Sequence, residues 1–288
     1  MIAIDWGTSS LRAYLMSDTG LILQHIEAAR GLMTIAPGGY PAVLAEAIGP
    51  WLPGERRVLI CGMAGSRQGW IEAPYLPCPA QPADLAMATI PVAFEGAEVR
   101  IVPGLSDRDP DGVPEVMRGE ETQLAGVLEE DGLVCLPGSH SKWARVAGGR
   151  IDGFTTFLSG EAFAAIRQHT ILGRMMAEAP PDTAAFARGV ERSGGHGHLL
   201  HQLFGIRTLG LFGELADTAS ASYLSGLLIG HEVRAAMPPG SRVLLVGAVM
   251  LCDLYADAIT RCGGVAAVAT PDAAATGLFR IAKDVPWN

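Results

Sequence analysis

Six consecutive residues near the start of the chain, Asp5-Trp6-Gly7-Thr8-Ser9-Ser10, join a carboxylate, a glycine and three hydroxyls. A short apolar run, Ile2-Ala3-Ile4, leads into them, and a second β-like run, Leu11-Arg12-Ala13-Tyr14-Leu15-Met16, follows. Residues 17–20 are a turn signal, and residues 21–26 return as a third strand. At the end of a buried strand, Gly7 lets the backbone approach a phosphate. The amides and hydroxyls of Thr8 and Ser9 donate to it, and Asp5 faces the metal that accompanies it. An ordinary hairpin with a solvent-exposed aspartate would use the same residues. What separates the two readings is a second copy of the pattern. Residues 133–136 are again a short apolar strand, and Pro137-Gly138-Ser139-His140-Ser141-Lys142 is again a glycine and hydroxyl loop. Residues 143–146 read as the second strand, 147–150 as the turn and 151–157 as the third strand. Two such units, each opening half of the chain, imply two related lobes with a phosphate gripped between their hairpins.

Other chemistry-bearing residues lie between and after the two hairpins. The strand 57–61 ends in Gly62-Met63-Ala64-Gly65-Ser66, and a long irregular segment through Pro82 carries Arg67, Trp70 and Tyr75. Such a segment suits a binding loop, with Trp70 and Tyr75 against a carbon chain; a solvated connection anchored by Trp70 is the plainer alternative. Residues 117–129 predict a helix with Leu124, Val127 and Leu128 on one face and Glu120-Glu121 in its first turn, where acidic groups meet the helix dipole favourably. Ser159-Gly160-Glu161 opens a predicted helix to about residue 176, capped by Ser159, with Phe163, Ile166 and Ile171 inward. Glu161 either points at the ligand or only favours that helix terminus. His196, His198 and His201 have metal-like spacing without a Cys or carboxylate nearby, so residues 180–201 read as a solvated loop between helical pieces. Residues 219–237, 249–259 and 273–282 predict helices, and 242–246 and 265–269 strands; the last helix is placed to cross back toward the first lobe.

The stretch 5–12 resembles the first phosphate motif of the sugar kinase/actin/heat-shock-chaperone ATPase superfamily. The whole chain resembles its 2-dehydro-3-deoxygalactonokinase family. The matching words are Ile60-Cys61-Gly62-Met63-Ala64-Gly65-Ser66, Met117-Arg118-Gly119-Glu120-Glu121-Thr122, Leu136-Pro137-Gly138-Ser139-His140-Ser141-Lys142-Trp143 and Ser159-Gly160-Glu161. The resemblance implies an α/β, two-lobed actin-like (ribonuclease H-like) ATPase fold. Each lobe would be a mixed sheet opening with a three-stranded antiparallel unit and flanked by helices, over residues 1–131 and 132–288. It implies ATP with Mg²⁺ as cofactors, and transfer of a phosphoryl group to the 6-hydroxyl of 2-dehydro-3-deoxy-D-galactonate in galactonate catabolism. By the same resemblance Glu120 or Glu121 is the general base, with Glu120 ahead. Asp5 is assigned to the metal, Gly7, Thr8, Ser9, Gly138, Ser139 and His140 to the phosphates. Gly247-Ala248, after the strand 242–246, resembles the superfamily's adenosine turn. Lys142 is a counter-charge or an exposed lysine on a strand edge. The acceptor's carboxylate needs a cation, for which Arg12 and Arg67 are the candidates. A kinase for another sugar acid or a polyol, and a non-catalytic actin-like switch, are the alternatives.

Composition bounds these readings. The chain has 288 residues, long for one core and natural for two lobes. Apolar residues make up 49%, enough to bury large cores. A net charge of −9 argues against nucleic acid or an anionic membrane as partner. No stretch reads as a signal peptide or a membrane span, and five cysteines without CxxC spacing fit buried thiols. The cytoplasm is therefore the expected location, and a homodimer the default assembly.

Overall fold

A computed structural model describes all 288 residues. The chain begins with β1 (Ile2–Trp6), β2 (Leu11–Met16), β3 (Ile22–Ala28), α1 (Tyr40–Ile48) and β4 (Arg57–Gly62). There follow β5 (Tyr75–Pro77), α2 (Pro82–Met87), β6 (Ile90–Val92), β7 (Glu98–Ile101), β8 (Gly104–Arg108), β9 (Pro114–Met117) and α3 (Glu120–Ala125). The second hairpin supplies β10 (Gly132–Leu136), β11 (Ser141–Ala147) and β12 (Arg150–Phe157). Then come α4 (Ser159–His169), α5 (Thr183–Ser193), α6 (Leu199–Leu211) and α7 (Asp217–Ala236). The chain closes with β13 (Arg242–Leu245), α8 (Val249–Arg261), β14 (Val265–Val268) and α9 (Ala273–Ala282).

These elements form two compact units. The first holds Met1–Asp131, Ala144–Phe154 and Asp272–Asn288; the second holds Gly132–Trp143 and Thr155–Pro271. The far part of the second hairpin and the closing helix α9 thus fold with the first unit. The six-stranded sheet has the order β3-β2-β1-β4-β7-β6, with β1 antiparallel to β2 and parallel to β4. The five-stranded sheet has the order β12-β11-β10-β13-β14, the same scheme of an opening hairpin set beside two parallel strands. A small sheet, β5-β8-β9, completes the first unit.

The local chemistry explains the arrangement. Val58-Leu59-Ile60-Cys61 is apolar on both faces and entirely buried, as a central parallel strand must be. In the first unit the core gathers Ile2, Ile4, Leu11, Leu44, Ile60 and Ile101. In the second, α7 and α8 close over Val243, Leu245 and Trp143, while α5, α6 and α7 enclose a separate cluster around Leu203, Ile206 and Leu224.

Several elements depart from expectation. The helix expected over 117–129 is confined to Glu120–Ala125: Met117 ends β9, and Gly119 at φ +104° takes a conformation no helix continues through. Leu124, Val127 and Leu128 are nonetheless buried. Helix α4 stops at His169 rather than near 176. The Thr170 hydroxyl donates to the Ile166 carbonyl at 2.6 Å and accepts from the Leu172 amide at 3.2 Å, a local turn that competes with the helix. Ile171 is consequently exposed, and Ser159 is the first helical residue rather than the cap. Helix α5 occupies half of the segment read as a loop. Asp182 caps it, accepting from the Ala185 amide at 2.9 Å.

Candidate active site

In the first unit the candidate residues gather at the ends of β1 and β4 and at the start of α3. Asp5 pairs in register with Arg12 on β2 and with Cys61 on β4. Arg12 Nη1 stands 3.7 Å from Asp5 Oδ2, while its Nε donates to Glu27 Oε1 at 3.0 Å. Burial raises the Asp5 carboxyl above the usual range, and the Arg12 charge and the Cys61 thiol work against that rise. The loop after β1 is tightly braced. Gly7 N–H donates to the Ser10 carbonyl at 2.9 Å, and the Gly7 and Thr8 carbonyls each accept from an amide, Leu32 and Met33, at 3.1 Å. With those carbonyls engaged, the exposed Thr8 and Ser9 are left to offer amides and hydroxyls. Gly31 lies flat on this loop: a Cβ there would run into the backbone of Thr8 and Ser9. Trp6 ties the same segment down, its indole N–H donating to the Arg30 carbonyl at 2.8 Å.

The acidic pair is joined to this hairpin through Gly62. A Cβ on Gly62, at φ +87°, would stand 2.6 Å from the Trp6 carbonyl oxygen, and one on Gly119 would stand 3.3 Å from Gly62 Cα. Only at these two glycines can β1, the end of β4 and the start of α3 converge so closely. Glu121 is fully buried. Its carboxyl accepts from the Gly119 amide at 2.7 Å and bonds the Thr122 hydroxyl at 2.9 Å. Burial, with the charge of Glu120 second, pushes Glu121 up to about 8, so it is largely neutral at pH 7. Glu120 is only partly buried, and its Oε2 accepts from the Arg118 amide at 3.0 Å. Cys61 lies in the field of both Asp5 and Glu121, and burial followed by those charges holds its thiol well above the usual range.

The residues proposed for the acceptor separate into distinct settings. Arg67 is exposed. Trp70 belongs to the core: it stacks on Tyr40 (centroids 6.0 Å, 17°) and meets Trp6 and Phe94 edge to face. That is the anchoring role, so Trp70 is a wall of the core rather than an exposed platform. Tyr75 is 41% exposed and lies under a guanidinium, with Arg118 Cζ 4.3 Å from its ring centre. Sequence reasoning missed Gly31, Ser66 and Arg118. Arg118 stands inside the motif 117–122, yet nothing in a linear pattern tells an arginine with buried nitrogens from a solvated one.

The second unit carries the other loop. Gly138, Ser139 and His140 connect β10 to β11, with Ser139 and His140 exposed. His140 Nε2 lies 2.5 Å from Glu161 Oε2, and the Glu161 amide donates to the Ser139 carbonyl at 3.0 Å. Gly160 does for this loop what Gly31 does for the other: a Cβ there would meet the Gly138 carbonyl and stand 2.8 Å from Ser139 Cα. Lys142 is not an exposed edge residue. It is 5% exposed, and its ammonium donates to the Thr156 hydroxyl on β12 at 3.2 Å. Behind the loop lies a buried polar network. Ser141 and Tyr255 share a hydrogen bond of 2.7 Å, and Tyr255 and Trp143 donate to the two oxygens of Glu232 at 2.9 and 2.8 Å. Burial raises Glu232, while these donors and Ser159 oppose the rise. Gly247 and Ala248 form the turn from β13 into α8 and are exposed, as are Val249 and Met250 after them. His196, His198 and His201 are exposed on the α5–α6 connection and the start of α6.

Comparison with known proteins decides what this arrangement belongs to. The family model for 2-keto-3-deoxy-galactonokinase matches residues 5–281. The chain belongs to that family. A Rhizobium meliloti (strain 1021) relative named "Probable 2-dehydro-3-deoxygalactonokinase" is 39% identical over 98% of this chain and 96% of its own. The 2-dehydro-3-deoxygalactonokinase of Escherichia coli (strain K12) is 34% identical over 99% of this chain and 98% of its own. A crystal structure of a Sinorhizobium meliloti protein assigned the same activity superposes with a TM-score of 0.90 at 37% identity, covering 99% of both chains. The 2-keto-3-deoxy-galactonokinase fold is thus this chain's fold, an actin-like ATPase and sugar kinase architecture of mixed sheets flanked by helices. The chain is accordingly a kinase, and both hairpin loops and the acidic pair fall inside the matched residues.

Proposed function

We propose that this chain transfers the γ-phosphoryl group of ATP to the 6-hydroxyl of 2-dehydro-3-deoxy-D-galactonate. The observation that carries the reading is full-length similarity to two curated 2-dehydro-3-deoxygalactonokinases. The transition state spreads negative charge over the transferring oxygens, so the protein's work is positioning and electrostatic stabilisation. The backbones of Gly7, Thr8 and Ser9, and those of Gly138 and Ser139, serve the phosphates. Lys142 supplies positive charge from within β11, and His140, oriented by Glu161, adds a donor beside Ser139. The adenosine lies against Gly247 and Ala248, whose turn is bordered by the exposed apolar side chains of Val249 and Met250.

A magnesium ion fits the residues present. Such ions take one or two carboxylates and leave the remaining positions to phosphate and water, and Asp5 is one partly buried carboxylate at the base of the phosphate loop. When bound, the ion neutralises phosphate charge. Glu120 takes the proton from the acceptor hydroxyl. Glu121, neutral and enclosed, holds the Gly119 amide and so fixes where Glu120 begins the helix.

A coupled assay of ADP release tests the reading. Release should depend on 2-dehydro-3-deoxygalactonate and be far slower with glucose or glycerol. Equal rates on glucose would remove the sugar-acid assignment, and acceptor-independent release would favour a nucleotide switch.

A further inference from the structure

Arg118 is in an unusual state for an arginine. Its Nη2 donates to the Ala73 carbonyl at 2.7 Å, and Tyr75 covers one face of the guanidinium. Its Nε and Nη1 are buried and have no hydrogen-bond partner. Gly65 passes so close that a Cβ there would stand 3.0 Å from Nη1. The next residue, Ser66, is also buried, and its hydroxyl has no partner either. A fourth such atom, the Tyr40 hydroxyl, belongs to a ring that stacks on Trp70, further along the segment that holds Ser66. Buried donors are nearly always paired, because leaving them dry and unmatched is costly. Unpaired donors on a guanidinium, with another on the residue next to the glycine that touches it, mark a place built for an anion.

The other cations of this unit fit that task less well. Arg12 already faces Asp5 and Glu27, and Arg67 is solvated. Arg118 also has the right reach. Its backbone amide is bonded to Glu120 and its tip lies at Ala73 and Tyr75. The run from Cα to Cζ of an arginine contains as many atoms as the carbon chain of a hexonate. An acceptor with its carboxylate on the guanidinium could therefore place its far hydroxyl near the Glu120 carboxylate.

We propose that Arg118, assisted by Ser66, is the carboxylate-binding site of the acceptor and the source of its preference for a sugar acid. This rests on the reading of the chain as a sugar-acid kinase. Tyr75, on a three-residue strand and partly exposed, is the cover a ligand must displace to reach the guanidinium. A carboxylate bound there is shielded from water, which strengthens a bidentate pair with the planar fork.

The test compares 2-dehydro-3-deoxygalactonate with its C1 amide in wild type, Arg118→Gln and Arg118→Lys, with ATP affinity and Tm measured for each. Wild type should prefer the acid by about 10²-fold in kcat/KM, the worth of a charged hydrogen-bonded pair. Arg118→Gln should lose that factor on the acid through KM and keep the amide rate within about threefold. Arg118→Lys keeps the charge but not the fork, and should lower the acid-to-amide ratio at least tenfold. It provides the reading if the glutamine variant does not fold. An unchanged ratio in the folded variants, or an equal loss on both acceptors, overturns the site while leaving the sugar-acid kinase intact. A wild type without preference for the acid overturns both.

Discussion

Glu120 and Glu121 are neighbours in sequence and opposites in setting. One is partly exposed; the other is sealed in and held at a pKa of about 8. Glu120→Gln keeps shape but cannot accept a proton, so turnover should fall by about 10²–10⁴-fold with ATP binding nearly intact. Glu121→Gln imitates the neutral acid and should cost little rate; full activity in both variants would remove this helix from the mechanism. Glu121 also predicts a pH dependence of stability. Its folded pKa, about 8, lies above the ordinary 4.5, so the folded state holds the proton more tightly. That contribution is fully present below about pH 4.5 and is lost as pH rises through about 8. Urea midpoints of wild type should therefore decline relative to Glu121→Gln across this window and run parallel above it. A constant difference from pH 5 to about 9 would mean that Glu121 is charged throughout. At Asp5 the expectation is kinetic. Asp5→Asn removes one charge from the metal side of the phosphates, and kcat at saturating Mg-ATP should drop by roughly 10²-fold or more with the circular dichroism spectrum unchanged. A wild-type kcat would sink the phosphate assignment of the hairpin.

At the scale of elements, each of the two loops is a hairpin corner pressed by a glycine from elsewhere in its own unit: Gly31 on Thr8 and Ser9, Gly160 on Gly138 and Ser139. Neither glycine needs to touch a ligand to matter. Gly31→Ala forces a methyl group against the first loop, at an overpacking cost of about 1–3 kcal/mol. Part of that strain should appear as loop displacement, so KM for ATP should rise roughly tenfold or more while KM for the acceptor changes little. An unaltered KM for ATP would show that the loop is not a nucleotide contact. The same use of small residues brings α5 against α7, where a Cβ on Gly226 would strike the Phe186 carbonyl and one on Gly189 the Tyr223 carbonyl. That close packing accounts for a helix in a stretch whose glycines and charges read as loop.

At the scale of the molecule, the two sheets repeat one strand scheme, and each unit carries one hairpin loop. On the proposed function a nucleotide binds only the folded chain, so excess Mg-ATP must stabilise it by mass action. At a hundred times Kd the gain is about 2.7 kcal/mol, which for a chain of this size is a rise of several degrees in Tm. Scanning calorimetry with and without Mg-ATP reads it directly. No shift at saturating concentration would mean that the loops do not bind nucleotide. No helix is long and apolar enough to cross a membrane.

What the sequence determined by itself is local and periodic. Short apolar strands closing on glycine and hydroxyl loops, repeated after residue 131, suffice to announce two hairpins and a two-part α/β fold, because strand alternation and turn chemistry are properties of neighbouring residues. The acidic pair, the Gly247-Ala248 turn and helix α9 were legible for the same reason. The tertiary structure alone decided which of these residues water can reach. Lys142, read either as a counter-charge or as an exposed edge lysine, is buried against Thr156; Trp70, read either as a binding residue or as the anchor of its loop, packs on the aromatic core. Glu121 differs from Glu120 only because Gly62 and Gly119 draw β1, β4 and α3 together around it. Arg118 is set apart by the backbone of Gly65, the carbonyl of Ala73 and the ring of Tyr75, which close around it from more than forty residues away in the chain. Burial is a sum over such distant neighbours, and with it go the pKa values and the unpaired donors on which the chemistry depends.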